Sequence, residues 1–286
     1  METLLDPFNY AFFVKGVIVA TLAGGLCGLI GVYITLRGMS YIGHGLSHAI
    51  FGGFAASSII TVNYYIGAGM WGLASALAIN AVTRRRRIGA DAAIGVITTA
   101  SFALGVALLT VFGNKGPSFD AALFGSIIGI TEGDLWTLVA ISVFTGLVVF
   151  INYRSLLFAT FDPEVADVSG VRVARIDALL MLVLSLAILA TLTIIGVTLV
   201  AATLVIPAVV ARMLTNRFAR MLVLSTVIGA VCGFIGMNAS YHFDVPSGTT
   251  IVLTSAAVFA IVLAVTGGRR LQRAGQLDSH VEPSTT

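Results

Sequence analysis

Apolar runs of about one bilayer crossing, separated by short polar or basic loops, recur along the chain. They cover residues 10–34, 39–60, 63–82 and 90–112, then about 135–151, 221–237 and 249–266. A helix needs about 20 predominantly apolar residues to span roughly 30 Å of hydrocarbon, so each run predicts a membrane-crossing helix. Three segments break the rule. Residues 121–130 are too short to cross and carry Gly125 and Gly129, which predicts a re-entrant or interfacial piece. Residues 178–210 are too long for one crossing and too short for two. Gly196 and Pro207 punctuate them, predicting a helix to about Ile195 and a short return helix ending at Arg212. Residues 156–177 are polar. There Asp162, Pro163 and Glu164 form a helix start, with a capping acid, proline in the first turn and an acid behind it. Gly170 is a natural stop, so the pattern predicts a short surface helix over 162–168.

The basic residues fix the expected orientation. Arg84, Arg85, Arg86 and Arg87 crowd one loop, and Arg154, Arg172, Arg175, Arg212, Arg217, Arg220, Arg269, Arg270 and Arg273 fall in others on the same side. Cytoplasmic loops are enriched in arginine and lysine, so these ends are expected in the cytoplasm. The count is nine crossings, or eight, with the N-terminus outside and the C-terminus inside. Of 286 residues, 58% are hydrophobic and 10% charged. Soluble domains carry about 25% charged residues, and the mean hydropathy of +1.01 agrees with a polytopic, all-α membrane protein. The net charge of +3 is too small to point to nucleic acid. Cys27 and Cys232 lie in apolar runs and read as packing residues. The start METLLDPFNY lacks a basic region and a cleavage site, so no signal peptide is expected. Residues 1–266 read as one transmembrane domain and 267–286 as a polar, disordered tail.

Candidate chemistry concentrates in LRGMSYIGHGLSHAIFGGFAAS, residues 36–57. His44 and His48 are four apart, so a helix places them on one face with Cβ atoms about 6 Å apart. Two neutral imidazoles at that spacing can reach one metal ion at about 2.0–2.1 Å. A stripe of small residues, Gly45, Ala49, Gly53 and Ser57, runs beside them and admits another helix closely. The spacing is compatible with a metal site, with a hydrogen-bonded structural pair, or with a proton relay.

There is no G-x-x-x-x-G-K-[ST] and no HExxH, which argues against a P-loop and a membrane zinc protease. No serine–histidine nucleophile elbow is recognisable, so an enzyme is not expected and transport energy must come from a partner or an ion gradient.

Several stretches together carry a resemblance: LRGMSYIGHGLSHAIFGG, DAAIGVITTASFALGVALL, ALFGSIIGIT, FDPEVADVSGVRV, IGVTLVAATLVIPAVVARML and YHFDVPSGTTIVL. Up to about residue 266 the chain resembles the permease subunit of bacterial ABC importers for zinc, manganese and iron(II). The resemblance implies a fold like type II importer permeases, in the bacterial plasma membrane. It implies pairing of two permease copies, two ATPase subunits and an extracytoplasmic metal-binding protein, with no permanently bound cofactor. The helix over 162–168 would be the coupling helix, with Asp162, Pro163, Glu164, Val165, Asp167 and Gly170 meeting the ATPase. The family carries an Asp and a His four apart in the second helix. Here the His is His48, but the Asp position is His44. Loss of that hard oxygen points away from manganese and toward zinc. His242, Asp244 and Pro246 would face the delivering protein. Two rival readings are a permease for a metal chelate and a stand-alone carrier relaying protons through His44, His48 and Asp91.

Overall fold

The computed structural model describes residues 6–60, 63–84, 90–112, 123–126 and 130–278, with backbone alone at 58, 64, 83–84, 90–91 and 267–278. The remainder of the arginine cluster after Arg84, residues 113–120, half of 121–130 (Gly129 among them) and the last residues of the tail lie outside this set, as does the Asp91 side chain. Every regular element among the described residues is a helix. Helices α1 (Ala11–Leu36), α2 (Ser40–Ile60), α3 (Tyr64–Arg84) and α4 (Ala90–Phe112) follow in chain order. Then come α5 (Glu132–Ile151), α6 (Tyr153–Phe161) and α7 (Pro163–Val168). The chain closes with α8 (Val173–Ile195), α9 (Val200–Leu214), α10 (Phe218–Phe243) and α11 (Ser247–Asp278).

Seven of these are long and apolar enough to cross a membrane: α1, α3, α4, α5, α8, α10 and α11. The eight or nine crossings read from sequence include α2 and α9 as well. Glycine, serine and the two histidines dilute α2, and α9 is only 15 residues long. Both are sheltered by the bundle, so neither needs a fully apolar surface. Helix α11 continues beyond the apolar run that stops at Thr266, to Asp278.

Glycines set the closest helix approaches. On α1, Gly24 packs on Gly229 of α10 and Gly28 on Ser225, while Ala20 meets Gly233. Rising numbers on one helix meet falling numbers on the other, so the two run antiparallel. The Ser225 hydroxyl donates to the Gly28 carbonyl at 2.6 Å, securing the seam. Gly31 of α1 lies against the Leu204 backbone of α9. Without a hydrophobic drive inside lipid, such backbone-to-backbone packing is what holds helices together.

The bundle thus has two packed groups. Helices α2, α3 and α4 form one, while α1, α9, α10 and α11 form the other, and α8 runs between them. A large apolar core joins both groups through buried residues such as Ile50, Phe51, Leu184 and Ile188. A second core lies at the arginine-bearing end, around Tyr33, Leu156, Ala159, Ile176 and Met221. Phe218 packs there edge-on against Tyr33 and Phe161 and tilted against Tyr153, at ring-centroid distances of 5.5–5.7 Å.

At the opposite end, α5 opens with a capping box. The Thr131 hydroxyl accepts from the Asp134 N–H at 3.2 Å, and the Asp134 carboxylate accepts from the Thr131 N–H at 2.8 Å. The Tyr65 hydroxyl also donates to that carboxylate. This explains why an acid can be buried here, since its oxygens have partners.

Candidate metal pathway

Helix α2 is the wall on which the site is built. Its small stripe turns slowly around the helix, because four residues advance 400° against a full turn of 360°. Gly45 therefore faces Ile94 and Thr98 of α4, whereas Gly53 faces Ala68 and Trp71 of α3. Between them the Ala49 carbonyl accepts from the Ser101 hydroxyl at 3.0 Å, and that hydroxyl accepts from the Trp71 indole at 2.7 Å. A Cβ on Gly45 or Gly53 would strike these neighbours. These glycines therefore sit against α4 and α3 respectively.

The two imidazoles lie together on an adjacent face. Ring centroids of His44 and His48 are 4.5 Å apart with planes at 80°. His48 also meets Phe102 of α4 edge-on at 4.6 Å, and His44 sits 5.7 Å from the Tyr41 ring. Both histidines are half-buried. The His48 Nδ1 is buried without a hydrogen-bond partner among the described residues. Buried ring nitrogens normally find a partner, so an unmatched one beside a second imidazole is a ready ligand position. No group of three or more His, Cys, Asp or Glu side chains with metal-binding geometry occurs among the described residues.

The broken helix expected from Gly196 lies against this wall. Gly196 has φ +83, a left-handed conformation that glycine adopts without steric cost, and it ends α8. The freed backbone is satisfied by neighbours. The Ser47 hydroxyl is 2.8 Å from the carbonyls of both His44 and Val197, linking the histidine helix to the break. The segment Leu123–Ser126 caps the other side: the Ser126 N–H donates to Thr193 at 3.2 Å and the Thr198 hydroxyl to Leu123 at 2.7 Å. Non-helical backbone at membrane depth is tolerated where protein buries it. Sequence reasoning did not find Ser47, Tyr41 or Phe102, which have no spacing signature.

The short helix α7 matches its sequence reading closely. The Asp162 carboxylate accepts from the Val165 N–H at 2.9 Å, and Pro163 opens the helix. The Val171 N–H donates to Ala166 at 2.9 Å and the Gly170 N–H to Asp167 at 3.0 Å, a Schellman closure. Only Ala166 is buried; Asp162, Glu164, Val165, Asp167 and Val168 are exposed. Two valines flanked by acids make an amphipathic knob. At the other end of the bundle, α10 runs through His242, whose Nδ1 lies 2.8 Å from the Asn238 carbonyl. Asp244 turns the chain at φ 53 and, with Tyr241, Pro246 and Ser126, lines a cleft of about 440 Å³.

Residues 9–266 match the ABC 3 transport family. The chain belongs to that family. This ABC permease is 39% identical over 253 residues to the manganese transport system membrane protein MntC of Halalkalibacterium halodurans, covering 88% of this chain and 87% of that one. It is 32% identical over 259 residues to the chelated iron transport system membrane protein YfeC of Yersinia pestis, covering 91% and 88%. Among solved structures, PsaBC from Streptococcus pneumoniae in complex with Fab matches with a TM-score of 0.84 at 31% identity, over 91% of this chain and 94% of that chain. The chain is therefore a multi-pass permease of the metal ABC importers. The preference for zinc drawn from His44 finds no support in these relatives, which are named for manganese and chelated iron. One imidazole in place of one carboxylate leaves most of the ion's shell, water and carbonyl included, undetermined, so it is a weak guide to the metal.

Proposed function

We propose that this permease imports a bare divalent transition-metal ion, with manganese as the favoured cargo. ATP hydrolysis takes place on a separate cytoplasmic subunit, and an extracytoplasmic protein delivers the ion. The observation that carries the reading is the His44–His48 pair, half-buried in the bundle beside the helix break, with an unmatched Nδ1 on His48. Two protein ligands plus water hold an ion weakly enough to release it, which a closed four-ligand cage would not do. Manganese is preferred over iron because similarity is higher to the manganese permease than to the chelated-iron one. A bulky chelate would need no imidazole pair.

In this reading two copies pair in the plasma membrane, the C-terminus and α7 lie in the cytoplasm, and the cleft around Asp244 receives the delivering protein. The exposed Val165 and Val168 would enter a groove on the ATPase while Asp162, Glu164 and Asp167 meet its basic rim. Reversing Asp162 and Glu164 to lysine is expected to weaken ATPase binding about ten-fold in co-purification, since the cap is lost and the rim pairs become repulsive. Unchanged binding would place the contact elsewhere.

The deciding experiment is uptake by the permease–ATPase complex in vesicles, offered free Mn²⁺, Fe²⁺, Zn²⁺ or an iron chelate with and without ATP. ATP-dependent Mn²⁺ entry exceeding Zn²⁺ is expected. Entry of chelate alone, or entry independent of the ATPase, would replace this reading with one of its rivals.

A further inference from the structure

Arg37 caps the C-terminus of α1 and stands just before the histidine helix. Its Nη1 lies 2.7 Å from Asp177 Oδ1 near the start of α8, and its Nε donates to the Thr160 hydroxyl at 3.2 Å. One guanidinium therefore joins three elements that are far apart in sequence. The side chains are only 9% and 19% exposed, and Arg37 Nη2 is buried without a partner among the described residues. Gly38 follows at φ +68 with open space around it, and Met39 leads into α2. Thr160 is two positions before the Asp162 cap of α7. His44 lies four residues into α2 from Ser40, about 6 Å along it at a helical rise.

We propose that the Arg37–Asp177 ion pair is a latch that parts in each transport cycle, carrying movement of α7 to the histidine helix. The proposal rests on the importer reading above. A buried ion pair is a poor device for stability alone, because desolvation offsets most of its attraction and apolar replacements often do as well. It is a good device for a contact with two discrete states. The pair lines a cleft of about 290 Å³ shared with Asn80, Thr160 and Pro163, so water can enter and solvate the separated charges. The unmatched Nη2 gives the guanidinium a donor for a second arrangement. Gly38 supplies a corner whose dihedral angles a side chain would restrict. Displacing α7 pulls on Thr160, Thr160 and Asp177 release Arg37, and the corner before α2 is freed.

The test measures Mn²⁺ ions moved per ATP hydrolysed by the permease–ATPase complex in vesicles. Arg37→Gln is expected to lower that ratio about five-fold while hydrolysis continues, and Thr160→Val about two-fold. Exchanging the charges, Arg37→Asp with Asp177→Arg, should bring the ratio back to within about two-fold of the parent. A purely structural pair would reduce uptake and hydrolysis in step, leaving the ratio unchanged, and that result overturns the latch. So does a charge exchange that assembles but does not restore the ratio. If Arg37→Gln fails to assemble, Thr160→Val carries the test, and an unchanged ratio there overturns it equally. The unsubstituted complex in the same vesicles separates the two ideas. Absence of ATP-driven Mn²⁺ entry there removes the importer reading, whereas normal entry with unchanged ratios in the variants removes the latch alone.

Discussion

His48→Ala is expected to lower ATP-driven Mn²⁺ entry by about 100-fold, leaving the permease–ATPase complex assembled and hydrolysing ATP. Loss of second-shell partners alone costs 10–100-fold at metal sites, and on the proposed function His48→Ala removes one of two protein ligands, which costs at least the upper end. The alanine also opens a gap against Phe102, whose ring meets the imidazole at 4.6 Å. His48→Phe separates these effects, since it refills the space with an aromatic ring but offers no lone pair. Both variants should lose entry alike if the nitrogen matters. If His48→Phe transports normally, the imidazole is a packing residue and the ion takes another route. His44→Asp goes the other way. It restores the Asp–His pattern of the family, so entry should persist with a shift toward Mn²⁺ over Zn²⁺, because manganese prefers oxygen.

The sequence disclosed those elements whose signals are local. The run over 90–112 coincides with α4, whose apolar pattern ends at Phe112 where the polar sequence GNKGPSFD begins. The Asp162 cap, Pro163 and Gly170 bracket α7 for the same reason: each residue acts on its own backbone within four positions. Gly196 announced the break between α8 and α9. Helix α6 was missed because YRSLLFATF is short and mixed in polarity, and what holds it is contact with Phe218 and the second core. The histidine spacing was legible, but its surroundings were not. The Ser47–Val197 bond spans 150 residues and the Arg37–Asp177 pair 140, and no periodicity links such distant positions. Arg37 in sequence is merely the cation that begins an apolar run.

The glycine seams predict the second large effect. Gly31→Ala is expected to destabilise the fold by about 3 kcal/mol, the top of the usual overpacking range and roughly 150-fold in equilibrium. The added Cβ would run into the Leu204 carbonyl, and its next neighbour is the Ala208 side chain at 3.5 Å. Backbone cannot swing aside as a side-chain tip can. Relief requires α1 and α9 to separate along their length, which also loosens the wall carrying Leu204 under Gly43 of α2. Gly95→Ala is the matched control, because that helical glycine has nothing within 4 Å of its added Cβ. There the substitution removes only unfolded-state freedom and should be neutral or stabilising by about 0.4–1 kcal/mol. Melting of the two purified variants in the same detergent makes the comparison. A Gly31→Ala protein that melts with or above Gly95→Ala would mean that the α1–α9 seam has room to spare, and that small residues there serve movement between the helices rather than their close contact.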